Sequence, residues 1–210
     1  MHIAHKKAKE IVFVQIFFIF LLPILLLYFN IVSNSFRVML LVFSSLLIFA
    51  IVRNEKWSIK KLGWRIDNIR SGIFAYSLYT IIGCLFLLYL SHHFKTDEVE
   101  NWWTQPHFLF LFIVVSFFQE FAYRAFLLPQ LKKIIKSPLI VIILNSILFM
   151  FLHIIYPGPA IMLPLAFLGG LWFASIYYFY PNLILATISH SVLNFVAVLL
   201  GFFAIYPGHY

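Results

Sequence analysis

The stretch PLIVIILNSILFMFLHIIY, from Pro138 to Tyr156, contains no Asp, Glu, Lys or Arg in nineteen residues. At 1.5 Å of rise per residue, a helix of this length extends about 28 Å, close to the roughly 30 Å thickness of a bilayer's hydrocarbon core. The stretch therefore predicts a helix that crosses a membrane.

Six further apolar runs are long enough, or nearly so, to cross a bilayer. Pro129, Pro138 and Pro181 stand at ends of these runs, where a missing amide proton disturbs a helix least. The pattern predicts an all-α, polytopic transmembrane helix bundle of about seven spans. The spans run roughly from Ile11 to Phe29, Val38 to Val52, Ser71 to Ser91, Phe108 to Leu128, Pro138 to Tyr156, Ala160 to Tyr180 and Leu183 to Tyr206.

The composition agrees with a bilayer as the solvent. Hydrophobic residues make up 63% of the chain and charged residues 10%, whereas soluble domains are about a quarter charged. The net charge of +8 does not indicate nucleic-acid binding, because the basic residues lie between the apolar runs, where they orient helices. The single cysteine, Cys84, excludes an internal disulfide.

The Lys and Arg residues are divided unequally between the two ends of the spans. With the N-terminus inside, 12 of the 15 lie on the cytoplasmic side, and only Arg37 and Lys95 fall in outer loops. This distribution predicts a multi-pass protein of the cell membrane, with the N-terminus cytoplasmic and the C-terminus outside. Asp97, Glu98 and Glu100 then lie outside. The segment from Trp57 to Arg70 has the composition either of a stretch that lies in the membrane interface or of an ordinary basic loop.

Ionisable side chains inside the predicted spans carry most of the functional information, because each costs about 2.5 to 3.5 kcal/mol to insert. Glu120 and Arg124 lie four residues apart in the fourth span, so they share a helical face and form either an ion pair or part of a site. His153 lies four residues after Phe149 in the fifth span, and His190 four residues before Asn194 in the seventh. Each alone could be a hydrogen-bonding contact between helices.

Together these residues point to hydrolysis. A carboxylate, two imidazoles and a carboxamide can activate water and stabilise an oxyanion. Glu120, His153 and His190 could also ligate a catalytic zinc ion. Neither histidine belongs to an HExxH motif, so metal-independent chemistry is preferred and no cofactor is predicted.

The order of the motifs resembles that of the CPBP family of intramembrane endopeptidases, which includes type II CAAX prenyl proteases and Abi-type immunity proteins. That family carries a Glu-Glu-x-x-x-Arg motif, then Phe-x-x-x-His and then His-x-x-x-Asn. Here the motifs read QEFAYR from Gln119, FMFLH from Phe149 and HSVLN from His190. The resemblance implies one integral membrane domain, with N-terminal membrane helices and the basic segment in 1–107 and a CAAX-protease-like core in 108–210, formed by spans four to seven.

The resemblance also implies roles for the motif residues. The first Glu and the His of the second motif would activate water, and His190 and Asn194 would stabilise the oxyanion. This chain departs at the first position, where the Gln119 amide cannot accept a proton at neutral pH. Either Glu120 acts as the base with His153, or the chain has lost turnover.

These observations predict an intramembrane endopeptidase that hydrolyses a peptide bond of a membrane-associated protein or peptide. The predicted catalytic residues are Glu120, His153, His190 and Asn194, supported by Gln119, Arg124 and Phe149. The alternatives are an inactive family member that acts as a membrane binding or immunity protein, and a small transporter. Transport is the weakest, because no inverted repeat with broken helices is evident.

Overall fold

The computed structural model describes residues 2–94, 106–156 and 158–202, without the side chains of residues 2–5, 106–111 and 159. Some predicted features lie outside the described residues: the outer-loop charges Lys95, Asp97, Glu98 and Glu100, and the end of the seventh span beyond residue 202.

Helices and short connections account for the described residues, in which no strand occurs. The helices are α1 (His2–Gln15), α2 (Leu22–Tyr28), α3 (Arg37–Asn54), α4 (Ile69–Phe94), α5 (Pro106–Glu120), α6 (Leu128–Ile134), α7 (Pro138–Phe151), α8 (Pro159–Phe179) and α9 (Leu183–Leu199). Wider π-helical turns link α1 to α2 at Ile16–Leu21 and α5 to α6 at Phe121–Leu127, and 3₁₀ turns occur at Asn34–Phe36 and Leu152–Ile155.

Six helical segments of the described chain are long and apolar enough to cross a membrane, and α9 is apolar but shorter. The six are Lys6–Tyr28, Asn34–Asn54, Ile69–Phe94, Phe112–Ile134, Pro138–Ile155 and Ala160–Phe179. The predicted polytopic helical bundle is confirmed, and the chain is a multi-pass membrane protein.

The two π-helical turns each precede a proline, Pro23 in α2 and Pro129 in α6. A proline ring clashes with the carbonyl four residues earlier and provides no amide proton, so a wider turn lets the helix continue past it. As a result, the fourth span runs from α5 through the π turn into α6, and Glu120 is the last residue before the wide turn. Such turns occur often at functional sites.

The connections between spans alternate between two ends of the bundle. At one end, the α3–α4 connection meets α6 through Lys133 Nζ and Glu55 Oε2 at 2.8 Å, and meets the α8–α9 turn where Asn182 donates to the Arg65 carbonyl at 2.9 Å. At the other end, α2 packs against the 3₁₀ turn Leu152–Ile155. This arrangement is that of helices running alternately up and down.

The π turn Phe121–Leu127 lies at the centre of the apolar core. Six successive residues from Ala122 to Leu127 are all buried, so the turn is enclosed on every side. Residues from both halves of the chain pack around it, including Phe20 and Ile48 from the N-terminal helices and Ala186 from α9. The core therefore fixes the helix on which Glu120 and Arg124 are carried.

Candidate active site

The centre of the site is a carboxylate–imidazole pair that joins α5 to α9. Nδ1 of His190 lies 2.7 Å from Oε1 of Glu120, and because a carboxylate only accepts, Nδ1–H is the donor. Nη1 of Arg124 lies 3.5 Å from the same oxygen. Glu120 and Arg124 are fully buried and His190 is 4% exposed, so this is a charged cluster inside the bundle.

Aromatic rings surround this cluster. The guanidinium of Arg124 lies over the ring of Phe149 at 4.3 Å, and its Nη2 points to the carbonyl of Gly170 at 3.5 Å. Phe173 stacks on the His190 ring at 4.7 Å between centroids. Cation–π contact and ring stacking compensate in part for the water that a buried cation has lost, and they fix the plane of the imidazole.

His153 lies just beyond the last turn of α7, in the 3₁₀ turn at one end of the span. Its ring lies 4.9 Å from the Phe149 ring, which in turn lies 5.8 Å from the His190 ring. Its Nδ1 lies 2.9 Å from the Phe149 carbonyl. A carbonyl only accepts, so Nδ1 carries the proton and Nε2 is the basic nitrogen of the neutral ring.

Asn194 lies one turn after His190 on α9, and its amide donates to Oγ of Ser116 on α5 at 3.2 Å. Helix α9 begins at a defined point, because the Asn182 side chain accepts from the Leu185 amide at 3.0 Å as its N-cap. A fixed start sets the depth and rotation of His190 and Asn194 together.

Two cavities meet at His153 and Asn194. The first, about 160 Å³, is bordered in addition by Gln119 and by apolar residues of α2 and α3. The second, about 600 Å³, is bordered by His190 and Phe149 and by apolar residues of α4 and α8. A substrate segment in either cavity would reach the same two polar side chains.

Gln119 and Glu120 are adjacent in sequence but differ in their surroundings. The Gln119 side chain borders the first cavity. Glu120 borders neither cavity, and its Oε1 is engaged by His190 and Arg124, while Oε2 has no hydrogen-bond partner among the described residues. The position that can meet a substrate therefore carries an amide, and the carboxylate lies behind it.

Residues 101–196 match the family model described as type II CAAX prenyl endopeptidase Rce1-like. This part of the chain is similar to the Rce1-like family. The resemblance drawn from the three motifs is thereby confirmed, and the matched segment includes all of them. Neither the search of curated proteins nor that of solved structures found a match.

Within the described part of the Rce1-like region, no group of three His, Cys, Asp or Glu side chains comes together as metal ligands. Glu120 and His190 pair directly, and the Nδ1 of His153 is used on a backbone carbonyl. The preference for metal-independent chemistry over a zinc site stays a prediction.

Three further residues of the candidate site were not selected from the sequence. Ser116 accepts from Asn194, and Phe173 stacks on His190. Asn145, fully buried in α7, donates to the Tyr123 carbonyl in the π turn at 2.7 Å. Asn145 could have been found from the sequence, because it is a polar residue in an apolar span, and the same criterion selected His153. Ser116 lies one turn before Glu120, whereas nothing in the sequence distinguishes Phe173 from other phenylalanines.

Proposed function

We propose that the chain is a metal-independent intramembrane endopeptidase that hydrolyses a peptide bond of a membrane-associated protein or peptide. The observation that carries the proposal is the meeting of two cavities at His153 and Asn194, with Gln119 on one side and His190 on the other. The match of residues 101–196 to a protease family model supports it as well.

The proposed reaction uses His153 as the base. The Gln119 amide holds the attacking water, whose oxygen bonds to the substrate carbonyl carbon while Nε2 of His153 takes its proton. The negative carbonyl oxygen is stabilised by the Asn194 amide and by His190, whose ring Glu120 holds in place through Nδ1. When the C–N bond breaks, His153 returns its proton to the leaving amine.

This assignment moves the base from Glu120, the residue favoured by the sequence. Glu120 instead orients His190, because its Oε1 is engaged there and the side chain borders neither cavity. A carboxylate that accepts from one ring nitrogen fixes the tautomer and the orientation of the imidazole. The catalytic set in the proposal is therefore His153, His190 and Asn194, with Gln119 holding the water.

A second candidate is favoured by the same observation. An amide at the cavity and a sequestered carboxylate also fit a catalytically inactive family member that binds a membrane peptide or acts as an immunity protein. The two candidates differ in whether the wild-type chain turns over a substrate.

The deciding experiment is proteolysis of a co-expressed membrane substrate library read by mass spectrometry. The wild type, His153→Ala, Gln119→Glu and the control Ser191→Ala are compared at equal membrane abundance. Ser191 is on α9 beside His190, and its hydroxyl donates to the Thr187 carbonyl of the same helix, so its variant should cleave like the wild type. An active wild type and a silent His153→Ala support the enzyme. A wild type that cleaves nothing, together with a Gln119→Glu variant that does cleave, would favour the catalytically inactive binding protein.

The proposed orientation has the N-terminus in the cytoplasm and the C-terminus outside. It is supported by the basic residues at one end of the bundle, where Lys133 and Arg65 lie together with the connections around residues 55–68 and 180–182. Positive loops are retained on the cytoplasmic side.

A further inference from the structure

Residues 55–68, between α3 and α4, form a compact segment that we call the basic loop. Its backbone makes a single turn that ends where the Trp64 amide donates to the Ile59 carbonyl at 3.2 Å and the Gly63 amide to the Lys60 carbonyl at 3.1 Å. Gly63 has φ +74°, the left-handed conformation that closes such turns. The loop therefore has a fixed shape with two distinct faces.

The inner face of the basic loop is attached to the bundle through its own carbonyl groups. The Tyr177 hydroxyl donates to the Leu62 carbonyl at 3.2 Å, and the Leu183 amide donates to the Gly63 carbonyl at 2.7 Å. Trp57 packs on Phe126 at 5.8 Å between ring centroids. Because these contacts fix the backbone, the exposed side chains of the loop are held on the outer face.

The outer face combines apolar and basic side chains. Ile59, Trp64 and Ile66 are 66%, 51% and 78% exposed. Lys60 and Lys61 lie between them in sequence and are exposed as well. Large apolar side chains mixed with lysines are typical of segments that lie in a membrane interface, where the rings enter the acyl boundary and the ammonium groups meet phosphates.

The charge on this segment is also one-sided. Residues 53–70 contain six Lys or Arg and two acidic residues. Both acids are already paired, Glu55 with Lys133 at 2.8 Å, and Asp67 with Arg65 at 2.9 Å and more loosely with Lys60 at 3.6 Å. The Arg65 guanidinium lowers the pKa of Asp67 to about 2, so that carboxylate stays ionised and paired. The excess positive charge has no acidic counterpart in the segment, and a partner for it must be anionic.

We propose that the outer face of the basic loop binds the phosphate headgroups of anionic phospholipids, with Ile59, Trp64 and Ile66 inserted at the acyl boundary. The proposal is independent of any catalytic activity. A basic residue near an anionic surface strengthens binding by about fivefold, so Lys60 and Lys61 together give a measurable preference over zwitterionic lipid.

The test uses the full-length protein in vesicles of phosphatidylcholine and phosphatidylglycerol, with brominated acyl chains carried by one lipid or the other at equal mole fraction. Bromine quenches nearby tryptophan, and subtracting the signal of Trp64→Phe isolates the emission of Trp64. We expect brominated phosphatidylglycerol to quench Trp64 more strongly, and the difference to shrink as ionic strength rises.

The charge variants give the matched comparison. Lys60→Gln with Lys61→Gln should lower the preference for phosphatidylglycerol by about fivefold for each lysine. Lys6→Gln with Lys7→Gln removes the same charge from α1 and should leave the preference unchanged. Should the double loop variant fail to fold, Lys60→Gln alone serves, because that side chain is 73% exposed. Equal quenching by both lipids, or a preference lost only in the α1 variant, would overturn the proposal.

Discussion

Glu120 shows at the residue scale how a buried charge is held in this bundle. Its carboxylate is shared between a guanidinium and an imidazole, both buried. Contacts among these three groups replace part of the water that each has lost. Removing one of them leaves the others without compensation, so the cluster should behave as a unit.

A double-mutant cycle at Glu120 and Arg124 tests this coupling. Glu120→Gln leaves the Arg124 charge buried without a counter-charge and should destabilise the protein by about 3 to 5 kcal/mol. Arg124→Gln should have a similar cost, while the double variant should lose much less than the sum. Unfolding of the detergent-solubilised protein, followed by circular dichroism, gives the three values. Additive losses would mean that the two residues do not stabilise each other.

The sequence selected polar residues that the structure brings close together, but it did not indicate which of them border a cavity. Glu120, His153, His190 and Asn194 were selected because each lies in an apolar span. Gln119 and Glu120 differ by about 100° around a helix axis, and hydropathy does not tell which of the two directions faces a cavity. Which residue faces the cavity depends on how α2, α3 and α9 pack, and a local sequence pattern does not predict that packing.

At the scale of elements, α7 and α8 approach each other at Gly170. A Cβ placed there would lie 3.0 Å from the Ser146 Cα and 3.2 Å from its carbonyl oxygen, both backbone atoms. The neighbouring Gly169 has no atom within 4 Å of its Cβ position. One glycine is therefore required by a close helix contact, and the adjacent one is not.

This pair of glycines provides an internal control. Gly170→Ala should separate α7 from α8 and destabilise the protein by about 1 to 3 kcal/mol. Gly169→Ala should be neutral or stabilise by up to about 1 kcal/mol, because alanine favours the helix. Thermal unfolding in one detergent compares the two. Equal losses in both variants would exclude close packing at Gly170 as the cause.

The end of α3 carries a strained residue, since Lys56 adopts φ +54°. The Trp57 amide donates to the Val52 carbonyl at 2.9 Å and the Lys56 amide to the Arg53 carbonyl at 3.1 Å, the hydrogen bonds of a helix end that glycine usually closes. Lys56→Gly should stabilise the protein by about 1 kcal/mol. Arg53→Gly, inside the helix, should destabilise it, and a loss in both variants would contradict the explanation.

Helix positions were well predicted because long apolar runs determine them, whereas the wide turns were not. An apolar sequence has nearly the same hydropathy whether it forms an α-helix of 3.6 residues per turn or a π turn. The hydropathy of Phe121–Leu127 therefore did not predict a π turn there. Pro23 and Pro129 were the available signs, since each follows one of the two turns.

At the scale of the whole molecule, the up-and-down order of the spans makes the orientation testable. With the N-terminus inside, the α6–α7 connection lies in the cytoplasm, and an odd number of crossings places the C-terminus outside. Reporter fusions after Lys136 and after Tyr210 should therefore report opposite sides of the membrane. The shorter helix α9 is the critical element, because Leu183–Leu199 crosses only if its ends reach both interfaces. Fusions that report the same side would show that α9 does not cross, and His190 and Asn194 would then lie on a helix that enters the bilayer from one side only.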